Sequence, residues 1–184
     1  MRIDRCTQPP SDKAAMAAEM AREGLPVFET ERLSLRAACM DDFEAWAKTL
    51  EAGFGDNRQD AWDEFANYSA GWVLHGHGLF TVLRRADGQI VGFVILGLEW
   101  GDYEPELGYM FDPDFQQQGY ATEAATAVRD YGFELLGKGK FVSYIGPQNK
   151  ASNAIAAKLG ATRDRAKEKK LGFEDYCYRH GGAA

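Results

Sequence analysis

The sequence has few of the features that mark secreted, membrane-spanning or disulfide-bonded proteins. Its 184 residues include only three cysteines, Cys6, Cys39 and Cys177, whose odd number and wide spacing argue against a disulfide framework. No apolar run reaches the roughly 18 residues of a membrane helix, and the first ten residues hold no apolar signal-peptide segment. We therefore expect a cytoplasmic protein that does not bind membranes.

Positive charge is also scarce. The chain has 21 Lys and Arg against 28 Asp and Glu, and the net charge of −7 argues against a nucleic-acid partner. The charges are unevenly placed: residues 41–64 hold eight acids and two bases, whereas 129–170 hold ten bases and four acids. Solvated helix faces would explain this pattern. A basic half facing a polyanionic cofactor and an acidic half facing a cationic amine would explain it equally.

Several site motifs are missing. No G-x-x-x-x-G-K-[ST] segment occurs, and no strand leads into G-x-G-x-x-G, so neither a P-loop nor a dinucleotide fold is supported. His75 and His77 have no third ligand nearby in the sequence, so we expect no metal site. Cys177, between two tyrosines, is expected to be a packed thiol rather than a nucleophile.

The most informative segment that is present is 116–124, with the sequence QQQGYATEA. It separates a strand-like run at 106–111 from a helical pattern at about 121–136. The first N–H groups of a helix lack intrahelical partners and lie at the positive end of the dipole. Gly119 allows a ligand to approach the backbone, and Ala121 keeps the first turn free of bulk. The segment therefore predicts an anion site that suits a diphosphate.

This segment and its flanks resemble a known family. The pattern Gln116-x-x-Gly119-x-Ala121 is similar to the [Q/R]-x-x-G-x-[G/A] signature of the GNAT acyltransferase superfamily. Upstream, ELGY followed by DP within 106–113 looks like the family's fourth strand. Downstream, N-x-x-S and KLGA within 149–161 resemble the Rim-type, ribosomal-protein alanine acetyltransferase-like branch. A weaker likeness extends to 29–36.

The resemblance implies an α+β GNAT fold. Such a fold has a mixed, mostly antiparallel twisted sheet of six to seven strands, splayed at the coenzyme A site and flanked by about four helices. Residues 28–180 are then the acetyltransferase domain, and 181–184 are a tail. Residues 1–27 are an extension that is partly helical, from Ser11 to Arg22. This extension is also a candidate arm through which a homodimer could form.

The residue patterns predict the elements in more detail. Apolar spacing of 3.6 predicts helices, alternation predicts strands, and Asp87-Gly88 predicts a hairpin turn. Besides the helix that follows the 116–124 segment, we expect three helices: one that begins after Asp41-Asp42 and ends at Gly53 to Gly55, one at about 59–73, and a short one at about 152–158. Besides the strand that precedes the same segment, we expect strands at 33–36, 79–83, 90–98 and 140–145. A last strand is expected to contain Phe173 and residues 176–178.

The resemblance also implies the chemistry and the residues that serve it. Acetyl-CoA is the donor substrate, and a primary amine, either a protein N-terminus or a small amine, attacks it directly in a ternary complex without a metal. Strand groups around Met110 and Phe111 would hold the pantetheine arm. The remaining residues expected to bind the cofactor are Gln116, Gln118, Gly119, Tyr120, Ala121, Thr122, Asn149 and Ser152.

The catalytic groups are less well marked in the sequence. Amine attack needs a base because amines are protonated near neutral pH. Glu106 is the candidate base, with a plain surface residue as the alternative. The position where many relatives carry a tyrosine acid is Ala156 here, so Ser152 is expected to hydrogen-bond the leaving sulfur, or else only to cap the following helix.

Two further alternatives stay open. The aromatic residues of the 59–73 helix, Trp62, Phe65 and Trp72, could be core or could line the acceptor pocket. The missing tyrosine acid also leaves room for a catalytically silent coenzyme A-binding module of the same fold.

Overall fold

The computed structural model describes residues 5–55, 57–172 and 174–181, which form a mixed sheet covered by helices on both faces. Eight strands occur among these residues: β1 (Phe28–Glu29), β2 (Leu33–Ala37), β3 (Leu79–Arg84), β4 (Ile90–Gly97), β5 (Glu106–Phe111), β6 (Val142–Ile145), β7 (Thr162–Arg163) and β8 (Tyr176–Arg179). The helices are α1 (Asp12–Arg22), α2 (Phe43–Phe54), α3 (Arg58–Leu74), α4 (Tyr120–Leu135), α5 (Lys150–Lys158) and α6 (Arg165–Leu171).

The strands lie in the order β1-β2-β3-β4-β5-β6-β8-β7, and the pair β5–β6 is parallel while the others are antiparallel. This confirms the α+β fold. The expected six to seven strands and about four helices were too few, because β1 and β7 have two residues each and α6 has seven. Elements this short show no clear period in a sequence.

Each face of the sheet has its own apolar core. On one face α4 packs through Ala124, Ala125 and Val128, which are fully buried. On the other face Trp46 of α2 is fully buried, and its indole N–H donates to the carbonyl of Ala61 in α3 at 2.8 Å. The two cores fix the sheet between α4 and the α2–α3 pair, so a ligand site is expected where neighbouring strands separate rather than on a covered face.

The α2 helix differs from expectation at its start. It follows a 3-10 turn at Met40–Asp42, and the side chain of Asp42 is buried against Arg36 at 2.6 Å instead of capping the helix. The expected stop at Gly53 to Gly55 is confirmed, and Gly55 is the residue that ends the helix. The chain stays helical to Phe54 and stops at Gly55, whose φ of 78° is the left-handed conformation usual at a helix end.

The two ends of the chain also depart from the sequence-based expectations. The α1 helix is present, but the Ser11 side chain makes no capping hydrogen bond, and no α1 residue is buried. The predicted strand position of Phe173 lies outside the described residues. No helix among the described ranges is long and apolar enough to cross a membrane.

Candidate active site

A gap between β5 and β6 forms the centre of the candidate site. The two strands pair only at Glu106 and Val142, and beyond this point they diverge. The hydroxyl of Ser143 donates to the carbonyl of Leu107 at 2.5 Å and closes the paired end of the gap. The splay that the family resemblance implied is therefore present, and it frees one edge of β5 for a ligand.

The alternation of β5 decides which main-chain groups face the gap. The carbonyl of Pro105 accepts from β6 at 3.0 Å, and that of Leu107 also points toward β6. Alternate residues present their groups to the same neighbour, so Tyr109 and Phe111 face the gap and Met110 faces β4. Of the main-chain groups expected around Met110 and Phe111, those that face the gap therefore belong to Tyr109 and Phe111, and a role for Met110 in holding the pantetheine arm stays a prediction. The Met110 side chain lines the gap.

Two cavities meet at this gap. One, of about 530 Å³, extends toward the turn at 116–122, and we name it the donor cavity. The other, of about 490 Å³, extends toward α3 and Glu106, and we name it the acceptor cavity. Residues that line both cavities mark the junction, and these are Phe54, Tyr109, Met110, Asn149 and Ser152. A molecule in one cavity can therefore contact a molecule in the other.

The turn before α4 keeps its amides available. Gln117 has a φ of 60° and Gly119 a φ of 85°, so two left-handed residues reverse the chain before the helix begins at Tyr120. Among the described residues, the N–H groups of Gln118 to Thr122 have no hydrogen-bond acceptor, as expected for a first helical turn. Neighbouring amides of this kind, at a helix N-terminus, form an anion-binding surface.

Side chains outside the turn hold it in place. The guanidinium of Arg32 donates to the carbonyl of Gln118 at 3.0 Å and lies 4.7 Å from the ring centre of Tyr120. Glu123 accepts hydrogen bonds from Thr30 and Arg32, which joins the start of β2 to α4. Burial acts against the charge of Glu123, but these donors lower its pKa below the ordinary value. Glu123 thus holds the turn in place through its hydrogen bonds to Thr30 and Arg32.

The predicted cofactor residues fall into two groups. Gly119, Ala121 and Thr122 line the donor cavity directly, as does Tyr120, whose ring is mostly buried. The glutamine side chains instead hold the turn. The Gln116 amide donates to the carbonyl of Phe111 at 3.0 Å, and the Gln118 amide donates to that of Asp114 at 3.3 Å. Only the main chain of these two residues is left to face a ligand.

The start of α5 corrects one sequence-based alternative. Asn149, not Ser152, is the helix N-cap, and its side-chain oxygen accepts from the Ser152 amide at 3.0 Å. The hydroxyl of Ser152 has no hydrogen-bond partner among the described residues and lies at the cavity junction. Next to it, the hydroxyl of Tyr109 donates to the carbonyl of Ser152 at 2.9 Å. Sequence reasoning missed this contact, because Tyr109 reads as an ordinary strand residue.

Glu106 lies in the acceptor cavity at the closed end of the gap. Its carboxylate accepts from the amide of Tyr144 at 3.1 Å. Burial raises the pKa of Glu106 to about 7; the hydrogen bond from the Tyr144 amide acts in the opposite direction, and the negative charges of Asp102, Glu99 and Asp175 act with burial. A carboxyl with this pKa accepts protons near neutral pH far better than a surface glutamate does.

Helix α3 contributes one carboxylate and one tyrosine to the wall of the acceptor cavity. Phe65 and Trp72 belong to the buried cores, and Trp62 packs on Phe43 with ring centres 5.3 Å apart. Of the two alternatives left open for these three aromatics, their contacts therefore support core packing rather than the pocket wall. The α3 residues that do line the cavity are Glu64 and Tyr68.

The other candidate groups lie away from these cavities. The ring of His77 is bonded to the carbonyl of Leu96 at 2.6 Å, and no cluster of three metal-ligating side chains occurs among the described residues. Cys177 is buried, and burial raises its pKa to about 11, which confirms a packed thiol rather than a nucleophile.

Comparison with known proteins agrees with this geometry. Residues 32–162 match the family model described as an acetyltransferase (GNAT) domain. An uncharacterized N-acetyltransferase of Bacillus subtilis is 31% identical over 85 residues, which cover 46% of this chain and 50% of that protein. The chain thus matches about half the length of this relative.

Solved structures extend the likeness over most of the chain. An acetyltransferase from Agrobacterium tumefaciens shares 32% identity and a TM-score of 0.77, covering 86% of this chain and 96% of the other. A structure described as a ribosomal-protein-serine acetyltransferase from Vibrio cholerae shares 26% identity and a TM-score of 0.61, covering 76% and 84%. The structural neighbours therefore include Rim-type acetyltransferases.

Proposed function

The chain belongs to the GNAT acetyltransferase family, and from this premise we propose that it is an N-acetyltransferase that moves an acetyl group from acetyl-CoA to a primary amine. The carrying observation is that two cavities meet at the β5–β6 gap, with the turn of α4 on one side and a partly buried carboxyl of raised pKa on the other. This is the arrangement that a two-substrate transfer requires.

The donor cavity is assigned to acetyl-CoA. The amides of Gln118 to Thr122 bind the diphosphate, and the pantetheine arm follows the free edge of β5 past Tyr109 and Phe111 toward the junction. Asn149 lines the arm's path at the junction. A main-chain N–H of the free edge donates to the thioester oxygen and stabilises the negative charge that develops there.

The acceptor cavity is assigned to the amine. Glu106 removes a proton from the bound ammonium, directly or through water, and the nitrogen then attacks the acetyl carbon. The carbon–sulfur bond breaks as the nitrogen–carbon bond forms, and the thiolate takes up a proton as coenzyme A leaves. The Ser152 hydroxyl at the junction hydrogen-bonds the departing sulfur. No covalent enzyme intermediate is needed, which agrees with the buried, protonated Cys177.

The test is release of free thiol from acetyl-CoA in the presence of small amines and of peptides with free N-termini. We expect amine-dependent release that saturates with both substrates and an intersecting pattern of initial rates, as in a ternary complex. Saturable coenzyme A binding with no release from any amine would contradict the proposal and favour the silent binding module.

A further inference from the structure

The acceptor cavity carries negative charge on several sides. Four carboxylates line it, those of Glu64, Asp102, Glu106 and Asp175, and no Lys, Arg or His is among its lining residues. On the basis of the proposed function, we infer that the acceptor is an amine with a second cationic group, which Asp102, Asp175 and Glu64 recognise while the reacting nitrogen meets Glu106.

The donor cavity shows the opposite charge. Among its lining residues are one cation, Lys158, and no Asp or Glu. The two cavities meet at one junction, so this difference is not a property of the whole acidic chain. It matches a polyanionic donor on one side, and it leaves the other side suited to a substrate of positive charge.

Three of the carboxylates in the acceptor cavity form no ion pair with the described part of the protein. Among the described residues, no ion pair involves Asp102, Glu106 or Asp175. In the same β4–β5 loop, by contrast, Glu104 pairs with Arg179 at 2.7 Å and with Lys167 at 3.0 Å. Basic side chains are therefore within reach of this loop, yet they bind the carboxylate that does not line the cavity.

One reacting ammonium would not balance this set of charges. When Glu106 takes the proton of the amine, the remaining carboxylates still face the cavity, and Asp102 and Asp175 are near enough to contribute to the raised pKa of Glu106. Asp102 is held in place by the amide of Glu99, which donates to it at 2.6 Å. A second cationic nitrogen would offset the negative charge that remains.

The rest of the wall suits the chain between two such nitrogens. Apolar or aromatic side chains line the cavity between the carboxylates, and they include Leu50, Phe54, Tyr68, Ile95 and Tyr144. A volume of about 490 Å³ accommodates an alkyl chain of several carbons with a charged group at each end.

The first experiment compares acceptors that differ only in the second charge. We expect kcat/KM for 1,4-diaminobutane to exceed that for 4-amino-1-butanol by at least about tenfold, the equivalent of roughly 1.4 kcal/mol. A second arm uses tetrapeptides with free N-termini that differ by Lys or Gln at the second residue. A preference for the second cation in either arm supports the inference, and the arm that shows it identifies a small diamine or a basic N-terminus as the source.

The outcomes separate this inference from the proposed function. Equal rates for charged and neutral partners in both arms, with ready thiol release, would overturn the inference and leave the N-acetyltransferase activity intact. Binding of coenzyme A without release from any acceptor would instead contradict the proposed function.

The second experiment removes single charges. Asp175 is exposed, so Asp175→Asn is expected to fold normally and to lower the diamine-to-aminoalcohol ratio of kcat/KM by about threefold or more. Glu134→Gln is the matched control, because Glu134 is also exposed and lies at the far end of α4, outside both cavities. Asp102→Asn keeps an oxygen for the Glu99 amide and gives a second reading. An unchanged ratio in both cavity variants would contradict the inference.

Discussion

At the residue scale, the position of Glu106 in the sheet explains the raised pKa of its carboxyl group. It is the first residue of β5 and lies at the single point where β5 and β6 pair, so the sheet encloses its carboxyl group. Burial and three nearby carboxylates raise its pKa, while only the Tyr144 amide stabilises its charge. The sequence identified Glu106 through the family resemblance. The raised pKa could not be predicted, because burial, its largest cause, depends on tertiary packing, as does the approach of the charges at positions 99, 102 and 175.

We predict that Glu106 sets the acidic limb of the pH–rate profile. The base must be ionised to accept the proton. We therefore expect the part of the pH dependence of kcat/KM that comes from Glu106 to rise up to about pH 7 in the wild type and then to level off. Glu106→Gln should lower kcat/KM by roughly 100-fold above this pH and lose the limb. Steady-state rates from pH 5.5 to 9 with one amine measure both effects. A limb that persists in the variant would assign the base to another group.

The same pKa predicts an effect on stability. A carboxyl whose folded pKa lies near 7, above its usual 4.5, binds more protons in the folded state between these values. Its contribution to the free energy of unfolding therefore falls as pH rises from about 4.5 to 7. Glu106→Gln should be more stable than wild type at pH 8, by up to about 3 kcal/mol, and the gap should shrink toward pH 5. Urea unfolding at both pH values measures it; a gap independent of pH would contradict the raised pKa.

At the element scale, the sequence predicted the turn beside the donor cavity better than the walls of the acceptor cavity. The turn before α4 depends on local signals, a glycine followed by small residues and a helical period, and both were readable. The acceptor cavity depends on packing between remote elements, with Tyr68 from α3 and Asp175 from the segment before β8. Its residues share no spacing, and the aromatic pattern of α3 indicated core positions rather than this wall.

We predict that Gly119→Glu weakens coenzyme A binding by at least about tenfold, since it places bulk and negative charge where the diphosphate meets the helix N-terminus. A β-carbon at Gly119 would also lie 3.3 Å from the guanidinium of Arg32. Gly88→Glu is the matched control: Gly88 has a similar φ of 72° but lies in the β3–β4 hairpin with nothing near its β-carbon position. Isothermal titration with coenzyme A separates the two, because backbone strain is common to both and loss of affinity is expected only for Gly119.

At the scale of the whole molecule, the net charge of −7 matters less than which charged side chains line the two cavities. The uneven distribution of charge along the chain had two interpretations. One was solvated helix faces, and the other was a basic half facing a polyanionic cofactor and an acidic half facing a cationic amine. The structure brings Lys158 to the donor cavity and four carboxylates to the acceptor cavity. Sequence blocks did not predict which charges would face a ligand: only Glu64 comes from the acidic block at 41–64, whereas the other three carboxylates come from later loops and strands.

The extent of the folded domain gives the last prediction. We propose 28–180 as the acetyltransferase domain, since β1 and β8 belong to the same sheet, and the homodimer suggested for the 1–27 extension stays a prediction. No residue of α1 is buried, whereas Leu25 and Phe28 pack against the core.

Deletion of residues 1–23 should therefore lower Tm by less than about 4 °C and leave coenzyme A affinity unchanged. Deletion of residues 1–29 removes β1 and both core contacts, and it should lower Tm by about 8 °C or more. Thermal unfolding of the two truncations, with size-exclusion chromatography to record the oligomeric state, tests this. A large loss of Tm from the shorter deletion would show that the extension belongs to the cooperative fold.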